Sequence, residues 1–316
     1  LLKIPNINKS INFSSLDCYL SMGYVPNKLC ILEGFNKLPA AHYMIFDLKT
    51  GNLVIKDYWQ IPPFDNTLKL SESSLLDELE FLLEDSVNKQ LVSDVPLGVL
   101  LSGGIDSSLI TAFAARSSPK LKTFTIRIPG NQSLDETEHA RLIANYFQTD
   151  HIELEAEEPS VDLLLTLAKS FDEPMADSSM IPMFLVSKLV REHCKVALGG
   201  DGGDELFGGY QHYSRLLWLQ KYLGSIPLSL RKQICRMSEI MLPVGFKGRN
   251  WLSALKIDLE KGLPQISTFF DYETRVKLIP SLKNLNQNAE DIFLKNIHQS
   301  SNLLERATRT DFKNYL

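Results

Sequence analysis

Between residues 97 and 198, short apolar runs alternate with segments whose apolar residues recur every three or four positions. The first pattern is typical of buried strands, and the second is typical of helices that pack one face against a sheet. The predicted strands are 97–101, 121–128, 151–154 and 195–198, and the helices between them are 135–147, 160–170 and 180–193. This alternation predicts an α/β fold with a doubly wound parallel sheet, whose ligands bind at the carboxyl ends of the strands.

The regions on either side of this core follow other patterns. Alternating runs at 42–47 and 53–58, separated by Lys49-Thr50-Gly51-Asn52, predict a β-hairpin. After the break at Pro62-Pro63, apolar residues at helical spacing predict a helix that begins near 71–74. Those apolar residues are Leu75, Leu79, Leu82, Leu83 and Val87. From Leu216 onward the pattern is helical and punctuated by prolines, which predicts a helical C-terminal extension.

The strand predicted at 97–101 leads into Ser102-Gly103-Gly104-Ile105-Asp106-Ser107-Ser108, and a helix follows. The two glycines let the backbone turn sharply and approach a ligand, and the first N–H groups of the helix attract an anion. No Lys follows the glycines, so the loop is not a Walker A motif. Hydroxyls, backbone N–H groups and Asp106 are suited to hold a leaving pyrophosphate with Mg²⁺. The alternative is a glycine-rich turn with Ser107 or Asp106 as a helix cap.

A second glycine-rich string, VALGGDGGDELFGGY at 196–210, follows the predicted strand 195–198. Its closely spaced glycines leave the backbone free to face a ligand. The acids Asp201, Asp204 and Glu205 would repel phosphates unless a cation lay between them. A Mg²⁺ ion that bridges a phosphate oxygen to Asp106 and Asp204 removes this repulsion. The alternative for Asp204 and Glu205 is a favourable interaction with a helix N-terminus.

Together, the two strings resemble those of a known family. Ser-Gly-Gly-x-Asp-Ser at 102–107 resembles the signature of the ATP pyrophosphatase superfamily, and 196–210 is similar to the second signature of the glutamine-hydrolysing asparagine synthetases. The resemblance implies an adenine nucleotide alpha hydrolase-like sheet and a carbon–nitrogen ligase that uses glutamine as nitrogen donor. The implied reaction uses ATP and Mg²⁺ to convert aspartate into an aspartyl-adenylate and pyrophosphate. Ammonia from glutamine then displaces AMP and forms asparagine.

The resemblance also implies roles for the residues at matching positions. The residues expected to hold pyrophosphate are Ser102, Gly103, Gly104, Asp106, Ser107 and Ser108. Those expected to receive adenosine, ribose and the α-phosphate are Leu100, Leu101, Ile126, Gly199 and Gly200. Asp201 stands where many family members carry a Glu implicated in handling the acyl-adenylate and ammonia, so it is the expected catalytic residue. Asp106 and Asp204 are the expected metal ligands.

Two departures from the family pattern leave the acid substrate open. Asp201 is one methylene shorter than Glu, and residues 172–182 lack the Thr and Arg that dedicated asparagine synthetases use near the substrate. The candidates for substrate contacts in their place are Glu173, Asp177, Ser178 and Ser179. A polar helix-capping loop is the alternative interpretation of that stretch. Three other functions therefore stay open: amidation of a sugar uronic acid in surface-polysaccharide assembly, ring closure like that of β-lactam synthetases, and a non-catalytic nucleotide-binding module.

The first 62 residues resemble the end of the glutaminase domain of the same family. The similar stretches are 19–26, 34–39 and 58–59. Because that domain is an N-terminal-nucleophile sandwich, the resemblance implies a partial β segment of it at 1–62. It implies a synthetase-type ATP pyrophosphatase domain at 63–316.

The chain is expected to be a fragment with weak ATP binding and little activity. The glutaminase nucleophile is an N-terminal cysteine, and Cys18 and Cys30 are internal, so they are expected to be structural thiols. Asp311–Leu316 resembles the lead-in to a family segment whose Lys contacts pyrophosphate. The loss of one cationic contact to developing charge is expected to slow the reaction.

Composition narrows the class of partner. The 316 residues carry a formal net charge of −5, and no basic run occurs, which argues against nucleic-acid binding. The four cysteines form no C-x-x-C pair and indicate free thiols in a reducing cytosol. No apolar run approaches the roughly 18 residues of a membrane span. We expect a cytoplasmic enzyme that acts on small molecules, without nucleic acid or membrane partners and with a homodimer left open.

Overall fold

The structure is a computed structural model, and it describes residues 4–26, 28–62, 70–127, 136–156, 160–243, 246, 248–265 and 268–314. The strands are β1 His42–Phe46, β2 Leu53–Asp57, β3 Leu97–Leu100, β4 Lys122–Arg127, β5 Asp150–Glu155 and β6 Val196–Leu198. The first seven helices are α1 Phe13–Met22, α2 Glu72–Gln90, α3 Ile105–Ser117, α4 Thr137–Phe147, α5 Val161–Ser170, α6 Met180–Val190 and α7 Gly203–Phe207. The others are α8 Gln211–Leu223, α9 Leu228–Met241, α10 Arg249–Ala254, α11 Tyr272–Leu278, α12 Ala289–Asn296 and α13 Leu303–Asn314, with a 3₁₀ turn at Pro280–Asn284. In the part of the chain that is described, no helix is both long and apolar enough to cross a membrane.

The chain divides into two compact units. The helical unit comprises Leu1–Pro62, Phe171–Asp177 and Asp204–Leu316, and the sheet unit comprises Pro63–Ser170 and Ser178–Gly203. The predicted domain limits at 1, 63 and 316 lie outside the described residues. The assignment of 1–62 and 63–316 to two family domains stays a prediction.

The sheet unit contains a four-stranded sheet with the order β5-β4-β3-β6, and all neighbouring strands are parallel. Helices cover both faces. On one face, α2 and α3 pack against Val99, and on the other, Val190 and Cys194 pack around Phe124. Gly98 lies against the ring of Phe124, where a side chain would collide with it. The predicted α/β fold with a doubly wound parallel sheet is therefore confirmed, although the predicted strand end at 128 and helix start at 135 lie outside the described residues.

Helix α2 is present as predicted, but only part of its apolar stripe packs within the sheet unit. Ser71 caps the helix by accepting a hydrogen bond from the N–H of Ser74. Leu83 and Val87 join the core formed with α3, whereas Leu75 and Leu82 are exposed. The predicted helix is thus present, and Leu83 and Val87 are the residues of its apolar stripe that pack in the core with α3.

The first 62 residues contain a helix, α1, that the expectation of a β segment missed. Asn12 caps it by accepting a hydrogen bond from the N–H of Ser15, and Gly23 ends it with φ 86°. The residues that α1 buries are Ser15, Asp17, Cys18 and Ser21. Because its buried face is mainly polar, no apolar stripe marks the helix in the sequence. The predicted hairpin is present as antiparallel β1 and β2.

Residues from the C-terminal half complete the helical unit, as the predicted helical extension requires. Two apolar clusters lie there. One contains Tyr213, Leu216, Leu263, Ile297, Leu303 and Ala307, and the other contains Leu219, Ala254 and Leu259. Helix α1 packs on α11 and α12 through Asp17, whose Oδ1 accepts a 2.7 Å hydrogen bond from Arg275 Nε. The N-terminal segment and the C-terminal helices therefore form one folded body.

Candidate nucleotide-binding site

The first glycine-rich loop leaves the centre of the sheet at the carboxyl end of β3. The N–H of Leu101 still bonds to the carbonyl of Phe124 on β4, at 2.8 Å, and α3 begins four residues later. Gly104 is the N-cap and supplies no side-chain cap, so the cap interaction proposed for Asp106 or Ser107 at that position is not made. The first N–H groups of α3 therefore face the loop, as an anion-binding helix N-terminus requires.

Ser107 holds the loop closed. Its Oγ accepts a hydrogen bond from the N–H of Ser102 (3.2 Å), donates to the carbonyl of Gly104 (3.2 Å) and lies 3.0 Å from Ser102 Oγ. Ser102 Oγ in turn accepts from the N–H of Gly104. Ser107 is buried, whereas Ser102 is exposed and Ser108 is half-buried. The hydroxyl of Ser107 thus shapes the cradle, and the hydroxyls of Ser102 and Ser108 lie nearer to solvent.

Gly103 is required by both conformation and space. Its φ of 93° lies in the left-handed region that favours glycine. A Cβ at this position would lie 2.9 Å from the N–H nitrogen of Ala140 and 2.9 Å from the carbonyl oxygen of Glu136. The first turn of α4 therefore packs directly against the loop.

The second glycine-rich loop, which follows β6, packs on the first through Asp106. A Cβ at Gly200 would lie 2.8 Å from Asp106 Cβ and 3.1 Å from the backbone nitrogen of Ser107. A Cβ at Gly203 would lie 2.6 Å from Asp106 Cγ. The carboxylate of Asp106 is thus held between two positions where only a hydrogen atom fits. The sheet unit brings together Asp106, Ser107, Gly200 and Gly203, which the sequence places almost a hundred residues apart.

Asp201 belongs to the same glycine-rich loop as Gly200. It is exposed, and its carboxylate folds back over Gly199, where a Cβ would lie 2.6 Å from Asp201 Oδ2. A side chain at position 199 would displace this carboxylate. Gly199 therefore leaves room for the acid that was expected to be catalytic.

Asp204 and Glu205 begin the part of α7 that belongs to the helical unit. The carboxylate of Asp204 lies against Gly209, whose N–H bonds to the carbonyl of Asp204 at 3.0 Å. Glu205 is buried and accepts a 2.9 Å hydrogen bond from the hydroxyl of Tyr210. Because Asp106 belongs to the sheet unit, the assignment of Asp106 and Asp204 as a metal-binding pair stays a prediction. Within the described ranges, no three His, Cys, Asp or Glu side chains are grouped to hold a metal ion.

Three residues expected to receive adenosine pack within the sheet unit. The side chain of Leu101 is buried among Ala140 and Ala144 of α4. Leu100 and Ile126 are half-buried and pack in the cluster around Phe124. Their side chains therefore pack in the apolar core of the sheet unit. The nucleoside contacts assigned to them stay predictions.

The structure adds two residues that the sequence analysis did not include among the site residues. Thr125 is buried, and its hydroxyl donates to the carbonyl of Leu101, which holds the start of the loop. Gly203 contacts Asp106 and is the fourth of the six glycines in the string 196–210. The repeated glycines in the sequence could have pointed to Gly203. No feature of the sequence connects Thr125 with Leu101.

Asp311 begins the segment that resembles the lead-in to the pyrophosphate-contacting Lys. The described part of this segment, 311–314, continues α13, and 315 and 316 lie outside the described residues. Asp311 Oδ2 accepts a 2.8 Å hydrogen bond from the hydroxyl of Tyr213 and lies 3.1 Å from His212 Nε2. Burial, followed by the negative charge of Asp311, raises the pKa of Tyr213, which keeps its hydroxyl a donor at neutral pH.

Comparison with known proteins identifies the family. The family model described as asparagine synthase matches residues 78–316, which include both glycine-rich loops. The chain belongs to the asparagine synthase family. Within it, the chain is 31% identical over 289 residues to the glutamine-hydrolysing asparagine synthetase 1 of Bacillus subtilis, covering 91% of this chain and 44% of that protein. It is 34% identical to the glutamine-hydrolysing asparagine synthetase of Zea mays, over 58% of this chain and 32% of that protein.

A third relative is the glutamine-hydrolysing asparagine synthetase B of Escherichia coli, which is 34% identical over 51% of this chain and 32% of its own length. The chain thus spans less than half the length of each of these asparagine synthetases. The resemblance inferred from the two signatures is confirmed for this family.

Proposed function

We propose that the chain carries the ATP-cleaving part of a glutamine-dependent amidotransferase of the asparagine synthase family. In the proposed reaction, a carboxylate oxygen of the acid substrate attacks the α-phosphorus of ATP, and the bond to the β-phosphate oxygen breaks, which releases pyrophosphate. Ammonia then attacks the acyl carbon and AMP leaves. The observation that carries the proposal is the packing of Asp106 against Gly200 and Gly203, since it joins the two signature loops at one edge of the sheet.

The loop residues have distinct proposed roles. Backbone N–H groups at the start of α3, with the hydroxyls of Ser102 and Ser108, bind the leaving pyrophosphate. Ser107 keeps the cradle closed through its contacts with Ser102 and Gly104. Gly199 and Gly200 let the backbone approach the ribose and α-phosphate. Donors that are already oriented before the reaction stabilise developing negative charge without reorganising.

We further propose that Mg²⁺ is held by Asp106 and Asp204 together with phosphate oxygens. The surroundings of Asp106 fit this ion, since its carboxylate is an oxygen ligand held against two glycines beside the phosphate loop. Mg²⁺ would neutralise phosphate charge, and Asp106 and Asp204 would orient it. Asp201 is the proposed residue that handles the acyl-adenylate and the attacking ammonia.

The acid substrate is aspartate in the leading proposal. The shorter side chain of Asp201 and the altered residues at 172–182 support a test with other carboxylates, including uronic acids. The decisive experiment measures pyrophosphate release by the full-length protein with ATP, Mg²⁺ and ammonia, and with each acid in turn. Release with aspartate supports asparagine synthesis, release with another acid reassigns the substrate, and release with none contradicts adenylation.

Two variants test the role assigned to the loop. Asp106→Asn keeps the size of the side chain and removes its charge, so pyrophosphate release should fall by about 100-fold or more. Asp94→Asn is the matched control, because Asp94 is exposed in the turn before β3. Equal rates for the two variants would contradict the assigned role of Asp106.

We also propose that residues 1–62 are the end of a glutaminase domain. Hairpin β1–β2 supports this, since apolar pairs are exposed on both of its faces. Met44 pairs with Ile55 on one face, and Ile45 pairs with Val54 on the other. A two-stranded hairpin is marginally stable by itself, so it needs cover from further protein. Hydrogen exchange at these amides should be slower in the full-length protein than in residues 1–316, and equal exchange would contradict the proposal.

A further inference from the structure

Residues Phe171–Asp177 form a loop between α5 and α6, and the chain continues from it into Ser178 and Ser179. Helix α6 leads into β6, and Val186 and Val190 pack it on the face of the sheet around Phe124. A helix that feeds a parallel strand runs opposite to it, so its N-terminus lies at the carboxyl edge of the sheet. Ser178 and Ser179, which directly precede α6 in the sheet unit, therefore lie at the edge that carries both glycine-rich loops.

Glu173 in this loop was a candidate for substrate contact, but its carboxylate binds within the helical unit. Glu173 Oε1 and Oε2 accept hydrogen bonds from the N–H of Ile31 at 3.2 and 3.1 Å. The thiol of Cys30 also hydrogen-bonds to this carboxylate. Burial, with the hydrogen bond to Glu173, raises the pKa of Cys30, so the thiol stays a protonated donor at neutral pH.

A second contact ties the same loop to the end of α1. The N–H of Ala176 donates to the carbonyl of Gly23 at 2.8 Å. Gly23 is itself fixed, because it has φ 86° and a Cβ there would lie 2.5 Å from the ring of Phe269. The loop 171–177 is thus attached at two points, three residues apart, to the segment that follows α1.

Hydrogen bonds within the helical unit hold residues 28–37, which include the backbone that Glu173 contacts. The carbonyl of Ile31 accepts a 2.8 Å hydrogen bond from the N–H of Asn12, the N-cap of α1. The N–H of Lys37 bonds to the carbonyl of Lys28 at 2.9 Å, and its ammonium donates to the carbonyl of Val25. The backbone that Glu173 contacts is therefore braced on both sides.

We infer that Glu173 is a positioning residue for the acid substrate: it anchors the loop 171–177 to residues 30–31 and so sets where Asp177, Ser178 and Ser179 stand. This inference rests on the proposed function. The carboxylate substrate must lie beside the α-phosphate, at the edge of the sheet where Ser178 and Ser179 precede α6. The proposed contacts to pyrophosphate and ribose, in contrast, come from loops within the sheet unit. Loss of the contact between Glu173 and residues 30–31 should therefore weaken binding of the acid and leave binding of ATP unchanged.

The test measures pyrophosphate release by the full-length protein while the acid and ATP are titrated separately. Glu173→Ala should raise the KM for the acid by about tenfold and change the KM for ATP by less than about twofold. Glu173→Gln keeps one oxygen that can accept a hydrogen bond from the N–H of Ile31. Its KM for the acid should therefore lie between that of Glu173→Ala and that of the unaltered protein. Cys30→Ser keeps a hydrogen-bond donor to Glu173, so it should raise the KM for the acid less than Cys30→Ala does.

Glu192→Ala, at an exposed position just after α6, is the matched control and should leave both KM values unchanged. Hydrogen exchange provides a readout independent of activity, and Glu173→Ala should speed exchange at the amides of Ile31 and Ala176. Unchanged exchange, or equal rises in the two KM values, would overturn the positioning role. Absence of release by the unaltered protein with every acid would instead count against the proposed function.

Discussion

The two units bury different kinds of polar side chain. In the described part of the sheet unit, the buried polar side chains are hydroxyls: Ser107, Thr111, Thr123, Thr125 and Thr137. In the described part of the helical unit, they include the charged side chains of Asp17, Glu205, Arg231, Arg249, Arg275 and Arg306. A hydroxyl is satisfied by one or two neighbours, whereas a guanidinium carries five donors and needs several acceptors. In the helical unit, hydrogen bonds and ion pairs of buried charged side chains therefore connect segments that are distant in the sequence.

Arg275 and Arg306 are two examples of such buried side chains. Arg275 donates to Asp17, to Glu290 and to the carbonyl of Phe270, all within 2.8 Å. Arg306 donates only to carbonyl oxygens among its described contacts, which come from 259, 260 and 300. Arg275 thus connects its own segment with α1 and α12, and Arg306 connects α13 with residues 259–260. In the sheet unit, Asp106 lies instead in the first turn of α3, and Asp201 lies in the loop after β6, both at the carboxyl edge of the sheet.

The largest expected effect comes from removing a buried charge in the helical unit. Arg275→Met should lower the free energy of unfolding by about 3–5 kcal/mol, because Asp17 would stay buried without its cation. Urea unfolding followed by tryptophan fluorescence measures it, since all three tryptophans, Trp59, Trp218 and Trp251, lie in the helical unit.

Two further variants test this explanation. The exposed Arg236→Met in α9 should change stability by less than about 0.5 kcal/mol. The double variant Asp17→Asn with Arg275→Met should recover part of the lost stability, because no unpaired charge would remain buried. A double variant that is less stable than Arg275→Met would show that the charge itself is not the cause.

The next effect falls on the sheet unit, and on activity rather than on stability. Gly203→Ala places a Cβ against Asp106 and should displace its carboxylate. Pyrophosphate release should fall by about tenfold or more, since small displacements of a positioning group are costly. Hydrogen exchange in β3 and β4 should be unchanged. Full activity with a displaced carboxylate would show that the contact between the two loops is not needed for the reaction.

A smaller effect is expected for a buried hydroxyl of the sheet unit. Thr111→Val removes a 2.8 Å hydrogen bond to the carbonyl of Ser107 and should cost about 1 kcal/mol in the free energy of opening measured by hydrogen exchange. Thr166→Val is the matched control, because Thr166 makes the same kind of bond to the residue four positions earlier but is exposed. Equal losses in the free energy of opening for the two variants would contradict the view that burial makes the hydrogen bond of Thr111 more stabilising.

The smallest effect concerns His151 on β5 of the sheet unit. Burial lowers the pKa of His151 below its ordinary value of 6.5. The unfolded chain therefore takes up a proton more readily, and stability is lost as the pH falls through about 6.5. His151→Gln should reduce the loss of stability between pH 7.5 and pH 5.5, as measured by hydrogen exchange. An identical pH dependence in the variant would contradict this assignment.

Local patterns predicted much of the sheet unit. Each predicted strand is present, and the two glycine-rich loops follow β3 and β6 as expected, because period and turn residues act over short stretches of sequence. Three features escaped prediction: helix α1, the contact between Glu173 and Ile31, and the pairing of Asp17 with Arg275. Helix α1 buries polar residues and shows no apolar period. The other two join residues separated by 142 and 258 positions, and no local rule connects them.

The sequence by itself determined the parallel sheet, the two glycine-rich loops and the family, since these depend on residue types at short, regular spacings. Only the tertiary structure decided how those parts are used. It brought Asp106 between Gly200 and Gly203, and it turned Glu173 toward residues 30–31. It also joined the N-terminal segment to the C-terminal helices through buried charges. Contacts of this kind depend on which surfaces meet after the chain has packed, and the packed chain alone specifies them.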